Sequence, residues 1–427
     1  MAEEEHGMGA VITGIGLVTP VGNKLGDVFD AVCAGRSGLS APPDGHPVRG
    51  VLEVAGIAPD VDPDGLVPRI EWRTVDRYVL MSLRAAADAL ADAGLQIGRD
   101  VAADRVACVV SGTGGLATLS RQTREHAERG RIAVSPFLLP GILPNMAAAR
   151  VAIAHGIEGY SASVVTACAS GAQAVAEGLR LLRGGEADVV VCGCAEALLF
   201  DTFAETFTIA RALAHDWPDP AAASRPFDRR RNGFVLSEGA AVFVLERPQF
   251  ADARGAAGYA EVLGWGAGTD AHHPTTPRPD GAGAARSMRL ALADAGVGAA
   301  EVDYVNAHGT GTKLGDAAEA AAVRQVFAAA PGCDGPPVSS VKGVTGHMLG
   351  ASGAVEVAVS AAVLGTGLLP PTHNLEQPDP ACDLDHVMGK PRAVRTDLVL
   401  TNSFGFGGHN VSLVLGRAGT RRSRWVS

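Results

Sequence analysis

Aromatic residues make up only 5% of the 427-residue chain, and its seven cysteines follow neither a disulfide framework nor zinc-ligand spacing. The first shortage excludes a core built on large rings. The core must come from Ala, Val and Leu, which suit close helix–sheet packing. The second predicts reduced thiols, no metal site and a cytoplasmic setting. Cys192 and Cys194 fall inside an apolar strand and read as core. No run approaches about 18 apolar residues, so no membrane span is expected. The opening MAEEEHGMGA lacks the apolar centre of a secretory signal. Positive charge is also short: 36 Lys and Arg face 46 Asp and Glu, a net charge of −10. That argues against nucleic acid as the main ligand. The stretch Gly14 to Asn23, GIGLVTPVGN, lacks G-x-G-x-x-G spacing and a Lys-Ser/Thr ending. It reads as a loop and not as a phosphate cradle.

Glycine, by contrast, is abundant at 54 residues, and it punctuates a pattern that occurs twice. Ala10 to Ile15 reads as a buried strand and Leu25 to Ala34 as a helix. Residues 40 to 68, rich in Pro, Gly and Asp, read as surface loop. Asp76 to Ala93 reads as a helix ending LADAG, with Gly94 as its stop. A strand, Val106 to Val110, then enters the glycine loop Ser111 to Gly115. Later a helix, Ser287 to Ala295, again ends LADAG. Its strand, Val302 to Val305, enters AHGTGT at Ala307 to Thr312. A second echo matches CASGAQAVAEGLRLL (Cys168 to Leu182) with GASGAVEVAVSAAVL (Gly350 to Leu364). Each half ends on a strand, Asp188 to Cys192 and Asp397 to Thr401. The pattern predicts a duplicated α/β chain with mixed, largely parallel sheets covered on both faces. The two echoed helices would lie side by side between two sheets. Ser135 to Pro144 holds three prolines and reads as an apolar loop in want of a partner surface. Residues 417–427 read as a mobile basic tail.

Cys168 stands at the junction of an apolar run, Val164 and Val165, and the first echoed helix. A thiol there faces unpaired backbone N–H groups and the positive end of the helix dipole. Both favour thiolate and predict a pKa lowered from about 8.5 into the range of roughly 3.5–7.5. His308 in NAHGTGT and His347 in VKGVTGHMLGASGA also sit in Gly/Thr loops, where α/β sheets place their chemistry. Lys342 lies five residues before His347.

Five motifs, in order along nearly the whole chain, carry a resemblance: TACASGA (Thr166 to Ala172), RPFDRRRNGFVLSEGA (Arg225 to Ala240), NAHGTGT (Asn306 to Thr312), VKGVTGHMLGASGAVE (Val341 to Glu356) and NSFGFGG (Asn402 to Gly408). With these the chain resembles an elongating, Cys-His-His β-ketoacyl-acyl-carrier-protein synthase of the thiolase-like superfamily. The resemblance implies a duplicated five-layer αβαβα fold. It also implies a dimer, either of two identical chains or with a chain-length-shaping subunit. Residues 1–258 would form the half carrying the nucleophile, and residues 259–416 the half carrying both histidines.

The resemblance further implies the site. Cys168 takes the acyl chain as a thioester. His308 and His347 polarise the malonyl thioester carbonyl, and Lys342 and Glu356 form a supporting charged pair. The N–H groups of Cys168 and Phe406 make an oxyanion hole, with Phe406 as gate. Thr310 and Thr312 line the phosphopantetheine tunnel. Thr113 lies deep in the acyl pocket, and Leu138 is the nearest residue of a segment reaching into the partner's pocket. Arg69, Arg73 and Arg77 recur at helical spacing, so they would share a face. With Arg211 they border the tunnel mouth and dock an acidic carrier protein. The phosphopantetheine arrives on the carrier, and no metal or redox cofactor is called for. His409, Ser237 and Asn232 depart from the commonest pattern, which leaves a polyketide or polyene role beside fatty-acid synthesis. Two other readings compete. A non-catalytic partner subunit typically lacks the cysteine that is present here. A coenzyme A thiolase would call for a second cysteine in the C-terminal Gly loop, and NSFGFGG has none.

Overall fold

The computed structural model describes residues 9–327, 335–419 and 424. The signal reading of the first residues and most of the tail lie outside them. Ten strands form the main sheet: β1 (Ala10–Val18), β2 (Val106–Ser111), β3 (Ser161–Ala162), β4 (Val189–Glu196), β5 (Gly239–Glu246), β6 (Ala260–Thr269), β7 (Tyr304–Asn306), β8 (Val338–Ser339), β9 (Leu398–Gly405) and β10 (His409–Arg417). Their order is β8-β7-β9-β10-β6-β1-β5-β4-β2-β3. Each half uses its five strands in the same order, so the duplication read from the sequence is a duplication of topology.

Parallel pairing is confined to the outer three strands of each half: β2 with β3 and β4, and β7 with β8 and β9. The remaining neighbours are antiparallel. The expectation of a largely parallel sheet is therefore corrected. An antiparallel partner, β5 or β10, follows the strand on which each half was expected to end. The two sheets are also one hydrogen-bonded sheet, because Ala10 to Ile12 of β1 pair with β6.

Five helices position the site: α1 (Arg77–Ala93), α2 (Ser170–Arg183), α3 (Ala282–Ala295), α4 (Lys313–Phe327) and α5 (Gly350–Thr366). Helix α1 covers β1 and β5, and α3 covers β6 and β10. Helices α2 and α5 contact each other and strands of both halves, which makes them the middle layer. The fold is thus the duplicated five-layer αβαβα, thiolase-like architecture. Asp76 caps α1 by accepting the Tyr78 N–H, and Gly94 ends it at φ 62°. Gly296 ends α3 at φ 69°. Helix α3 begins five residues earlier than expected, at Ala282.

The Gly/Pro-punctuated stretch is not a loop at its start, because β1 runs through Val18. A side chain at Gly14 or Gly16 would run into the carbonyls of Ala89 and Ala85 on α1. Gly264 and Gly266 of β6 meet α3 in the same way. These glycines mark close helix–strand packing. In the middle layer, a Cβ on Gly171 would lie 2.6 Å from Ala354 N, and one on Gly353 would lie 3.1 Å from Ala172 N. Every residue from Gly350 to Leu364 is buried. Ser135 to Pro144 contains a short helix, Leu138–Ile142, and keeps Leu139 62% exposed. The tail is tied down where it is described. Arg417 pairs in β10. The Arg424 guanidinium donates to Asp92 at 2.6 Å and lies 4.7 Å from the centre of the Tyr259 ring.

Candidate active site

The apolar run before Cys168 is not itself a strand, and the strand preceding it, β3, is only Ser161–Ala162. Val164 to Thr166 is a connecting link, and Cys168 is the middle residue of a 3-10 turn, Ala167–Ala169, that feeds α2. The turn is tight. Ala167 has φ 50°, a left-handed conformation that is uncommon without glycine. Ser170 holds it: its Oγ accepts the Thr166 N–H at 2.9 Å, and its hydroxyl donates to Ala167 O at 2.7 Å. Gly405 packs on this turn so closely that a Cβ there would lie 2.6 Å from Thr166 O.

The sulfur opens into a cavity of about 800 Å³. His347 Nε2 lies 3.2 Å from Sγ. The resting thiolate expected from the helix dipole is corrected. Burial pushes the Cys168 thiol up to about 12. Lys342 pulls it down, Glu196 pushes it up, and the Phe406 and Cys168 N–H groups pull it down, without offsetting the burial. The groups that favour thiolate are present, but they act on a thiol that stays protonated at rest.

His308 lies two residues past the end of β7, and its ring meets His347 edge to face with centroids 5.2 Å apart. Lys342 Nζ donates to the His308 carbonyl at 2.5 Å, lies 3.4 Å from His308 Nδ1 and pairs with Glu356. Lys342 and Glu356 are each 1% exposed. Burial, then Lys342, drives both histidines well below the ordinary imidazole range, so both rings are neutral. Burial pushes the Glu356 carboxyl up to about 7 against the pull of Lys342. Sequence reading brought Cys168, His308, His347, Lys342 and Glu356 into one site, and the structure places them together.

Two carboxylates on α4 were missed. Glu319 accepts the N–H groups of His308 and Gly309 at 2.9 and 2.7 Å. Asp316 accepts those of Gly311 and Phe227 at 3.1 and 2.7 Å and faces Arg231 at 3.3 Å. Burial pushes Glu319 up to about 7 and Asp316 up to about 6. They stand three apart on α4, immediately after NAHGTGT. An acidic pair entering a helix behind a glycine loop was the available signal. Asn402, from NSFGFGG, also donates to Glu319.

Thr310 and Thr312 line the cavity with their hydroxyl oxygens 3.1 Å apart. Phe406 lines it as well, 41% exposed and with its ring centre 6.3 Å from that of Phe207. Thr113 borders the cavity, and its N–H and hydroxyl both donate to Glu196, at 3.2 and 2.8 Å. Glu196 was not foreseen, because its place in β4 looks like core. Leu138 does not line the cavity within one chain.

The shared arginine face is corrected. Arg69 lies in a separate 3-10 turn, its guanidinium 5.3 Å from the Trp72 ring centre. Arg73 precedes α1 and is exposed. Arg77 is taken up by Glu238, Asp60 and the Ala58 carbonyl, which removes it as a docking cation. Of the four arginines, only Arg211 borders the cavity.

A duplicated thiolase-like fold with one buried cysteine and two neutral histidines at a shared cavity defines a thioester-handling class of protein. Residues 10–251 match the family model described as beta-ketoacyl synthase, N-terminal domain, and residues 259–376 match the C-terminal domain. The chain belongs to the beta-ketoacyl synthase family. It is 40% identical over 404 residues to 3-oxoacyl-[acyl-carrier-protein] synthase 2 of Synechocystis sp., covering 94% of this chain and 96% of that one. The enzyme of the same name from Coxiella burnetii is 38% identical over 408 residues, covering 95% and 98%. Among solved structures, the ishigamide ketosynthase/chain length factor aligns with a TM-score of 0.87 and 34% identity, over 96% of this chain and 100% of that one. A type II PKS acyl-carrier protein in complex with its ketosynthase, bound to the hexaketide, aligns with 0.86 and 27%, over 96% and 100%.

Proposed function

We propose that this chain is a condensing ketosynthase that joins a Cys168-bound acyl chain to malonyl-acyl-carrier protein. The product is 3-oxoacyl-acyl-carrier protein, in fatty acid or polyketide synthesis. The observation that carries the reading is the buried cluster of a thiol and two neutral imidazoles lining one cavity, with a Lys–Glu pair beside them. In the first half-reaction the sulfur attacks the acyl thioester. The new carbon–sulfur bond replaces the bond to the carrier's phosphopantetheine, and the thiol proton leaves on the released phosphopantetheine sulfur. Here the His347 ring and the N–H groups of Phe406 and Cys168 stabilise charge developing on sulfur.

In the second half-reaction the malonyl carbon–carbon bond breaks and carbon dioxide departs. Its electron pair becomes an enolate, whose oxygen accepts from His308 and His347. Lys342 Nζ donates to His308 Nδ1, so that ring carries its proton on Nε2 and acts as a donor. The enolate carbon then attacks the Cys168 thioester. The oxyanion so formed accepts from the Cys168 and Phe406 N–H groups, and collapse returns the cysteine, which takes up one proton. Carbon dioxide release drives the sequence, so no metal or redox cofactor enters it. Thr310 and Thr312 line the path for the phosphopantetheine arm. The partners are an acyl carrier protein and a second subunit, either identical or chain-length-shaping. The reaction is assigned to the cytoplasm. In support, no helix among the described residues is long and apolar enough to cross a membrane, and the six described cysteines are free.

The test is intact-protein mass spectrometry after incubation with acyl-carrier proteins. Wild type gains an acyl group on Cys168. Cys168→Ala gains none and does not elongate, yet still releases carbon dioxide from malonyl-carrier protein. His308→Ala and His347→Ala each lose that release by about 10²–10³, as for a lost oxyanion donor. Elongation by Cys168→Ala overturns the assignment.

A further inference from the structure

The turn before α5 repeats the turn before α2. Leu349 has φ 47°, as Ala167 has φ 50°. Ser352 Oγ accepts the Met348 N–H at 2.9 Å, as Ser170 Oγ accepts the Thr166 N–H. The copies part company at the hydroxyl proton. Ser170 gives it to a backbone carbonyl. Ser352 instead faces a ring nitrogen, His347 Nδ1, at 3.0 Å. A hydroxyl that has accepted one N–H still has its own proton to donate. The opposite nitrogen, Nε2, is the one 3.2 Å from Cys168 Sγ. Phe234 and His308 hold the ring edge to face, with centroids at 5.3 and 5.2 Å. Packing therefore fixes the orientation of the ring, and only the place of its proton is left to assign. Ser352 and His347 are both buried, so water does not make that choice.

Building on the ketosynthase reading, we propose that Ser352 is a positioning residue that sets the tautomer of His347. Its hydroxyl donates to Nδ1, so the neutral ring carries its proton on Nε2, the face turned to sulfur and enolate. The other tautomer would present a lone pair to a developing oxyanion and repel it. Lys342 does for His308 what Ser352 does for His347. One donor is charged and the other is not, and both rings end as donors toward the same cavity. In this reading the duplication supplied a helix-start serine twice, and the second copy has been turned to chemistry.

The experiment is nitrogen-15 NMR of full-length, histidine-labelled protein at neutral pH, with His347→Gln to assign the resonances. The expected pattern for His347 is a protonated Nε2 and a bare, hydrogen-bonded Nδ1. In Ser352→Ala that pattern becomes a mixture of tautomers, and kcat for malonyl-carrier-protein decarboxylation falls about tenfold, the worth of one ordinary hydrogen bond. KM stays unchanged, and Ser352→Thr, which keeps the hydroxyl, restores the wild-type pattern. A serine that only pins the helix start would lower the melting temperature and leave the tautomer and kcat as they were, and that result overturns the proposal. So does a wild-type His347 protonated on Nδ1, which decides the matter even if Ser352→Ala fails to fold. A wild type that neither loads acyl groups nor decarboxylates defeats the ketosynthase reading instead, and the NMR pattern still judges Ser352.

Discussion

At Glu196 a carboxyl is buried beside the cavity and takes both the N–H and the hydroxyl of Thr113 on one oxygen. Burial pushes it up to about 8, against the pull of the Thr113 hydrogen bonds. The folded chain therefore holds a proton that the unfolded chain releases near the ordinary value of 4.5. Below that value both states are protonated and pH has no effect through this group. Between 4.5 and about 8 the unfolded state binds fewer protons, so stability falls as pH rises, and above about 8 the loss levels off. Glu196→Gln removes the group. Chemical denaturation across this window should show the variant gaining on wild type with rising pH and holding its gain above about 8. A difference independent of pH would mean that Glu196 is ionised in the fold. Its partner Thr113 faces the same cavity. Thr113→Phe fills volume that a growing chain needs, and overpacking costs roughly 1–3 kcal/mol. With a fixed starter and excess malonyl-carrier protein, products should shift to shorter chains while short acyl groups still load Cys168. An unchanged length distribution would put the pocket floor elsewhere.

Among the elements, the α2–α5 pair decides where Cys168 and His347 stand, since each helix begins two or three residues after one of them. Their approach is set by Gly171 against Ala354 and by Gly353 against Ala172. Gly171→Val puts a side chain against the Ala354 N and Gly350 O backbone atoms, which cannot swing away. A loss of at least about 1–3 kcal/mol is expected, together with slower loading of Cys168. Denaturation and loading rates check this, and a variant as stable as wild type would show that the helices have room to separate. The echo of CASGA and GASGA was legible because close helix packing leaves a small-residue signature. The β1 and β6 glycines leave the same signature, yet GIGLVTPVGN reads as a loop. Nothing local says that a helix lies across those glycines. Glu319 and Asp316 were hidden for a related reason. A carboxylate on a helix reads as solvated until the loop it anchors is seen folded over it.

For the whole molecule, the −10 net charge repels an acidic carrier protein, so docking must rest on local cations. Arg211 is exposed and borders the cavity, whereas Arg77 is consumed by Glu238 and Asp60. Arg211→Glu should raise KM for carrier-bound substrates and weaken its dependence on salt. Steady-state kinetics at two ionic strengths test this, and unchanged values would remove Arg211 from the docking surface. The two halves are held together by the three-residue pairing of β1 with β6, by the central helices and by Arg424. Arg424 reaches from the end of the chain to Asp92 on α1 and Thr13 O on β1, so the last part of the chain described is bound to the first half.

The sequence by itself determined the duplication, because its echoes are short runs whose spacing and small residues are local, and its five motifs carried the resemblance that implied the five layers and brought Cys168, His308 and His347 into one site. The tertiary structure alone decided the charge states and the partners. Cys168 has a helix start and Lys342 in its favour, yet it is a protonated thiol because the fold buries it. Arg77 shares its spacing with Arg73, yet it pairs inward because Glu238 arrives from 161 residues away. Ser170 and Ser352 are the same letter in the same motif. They differ because one hydroxyl meets a carbonyl and the other meets His347. Dielectric and long-range contact set these outcomes, and neither is written in any stretch of neighbouring residues.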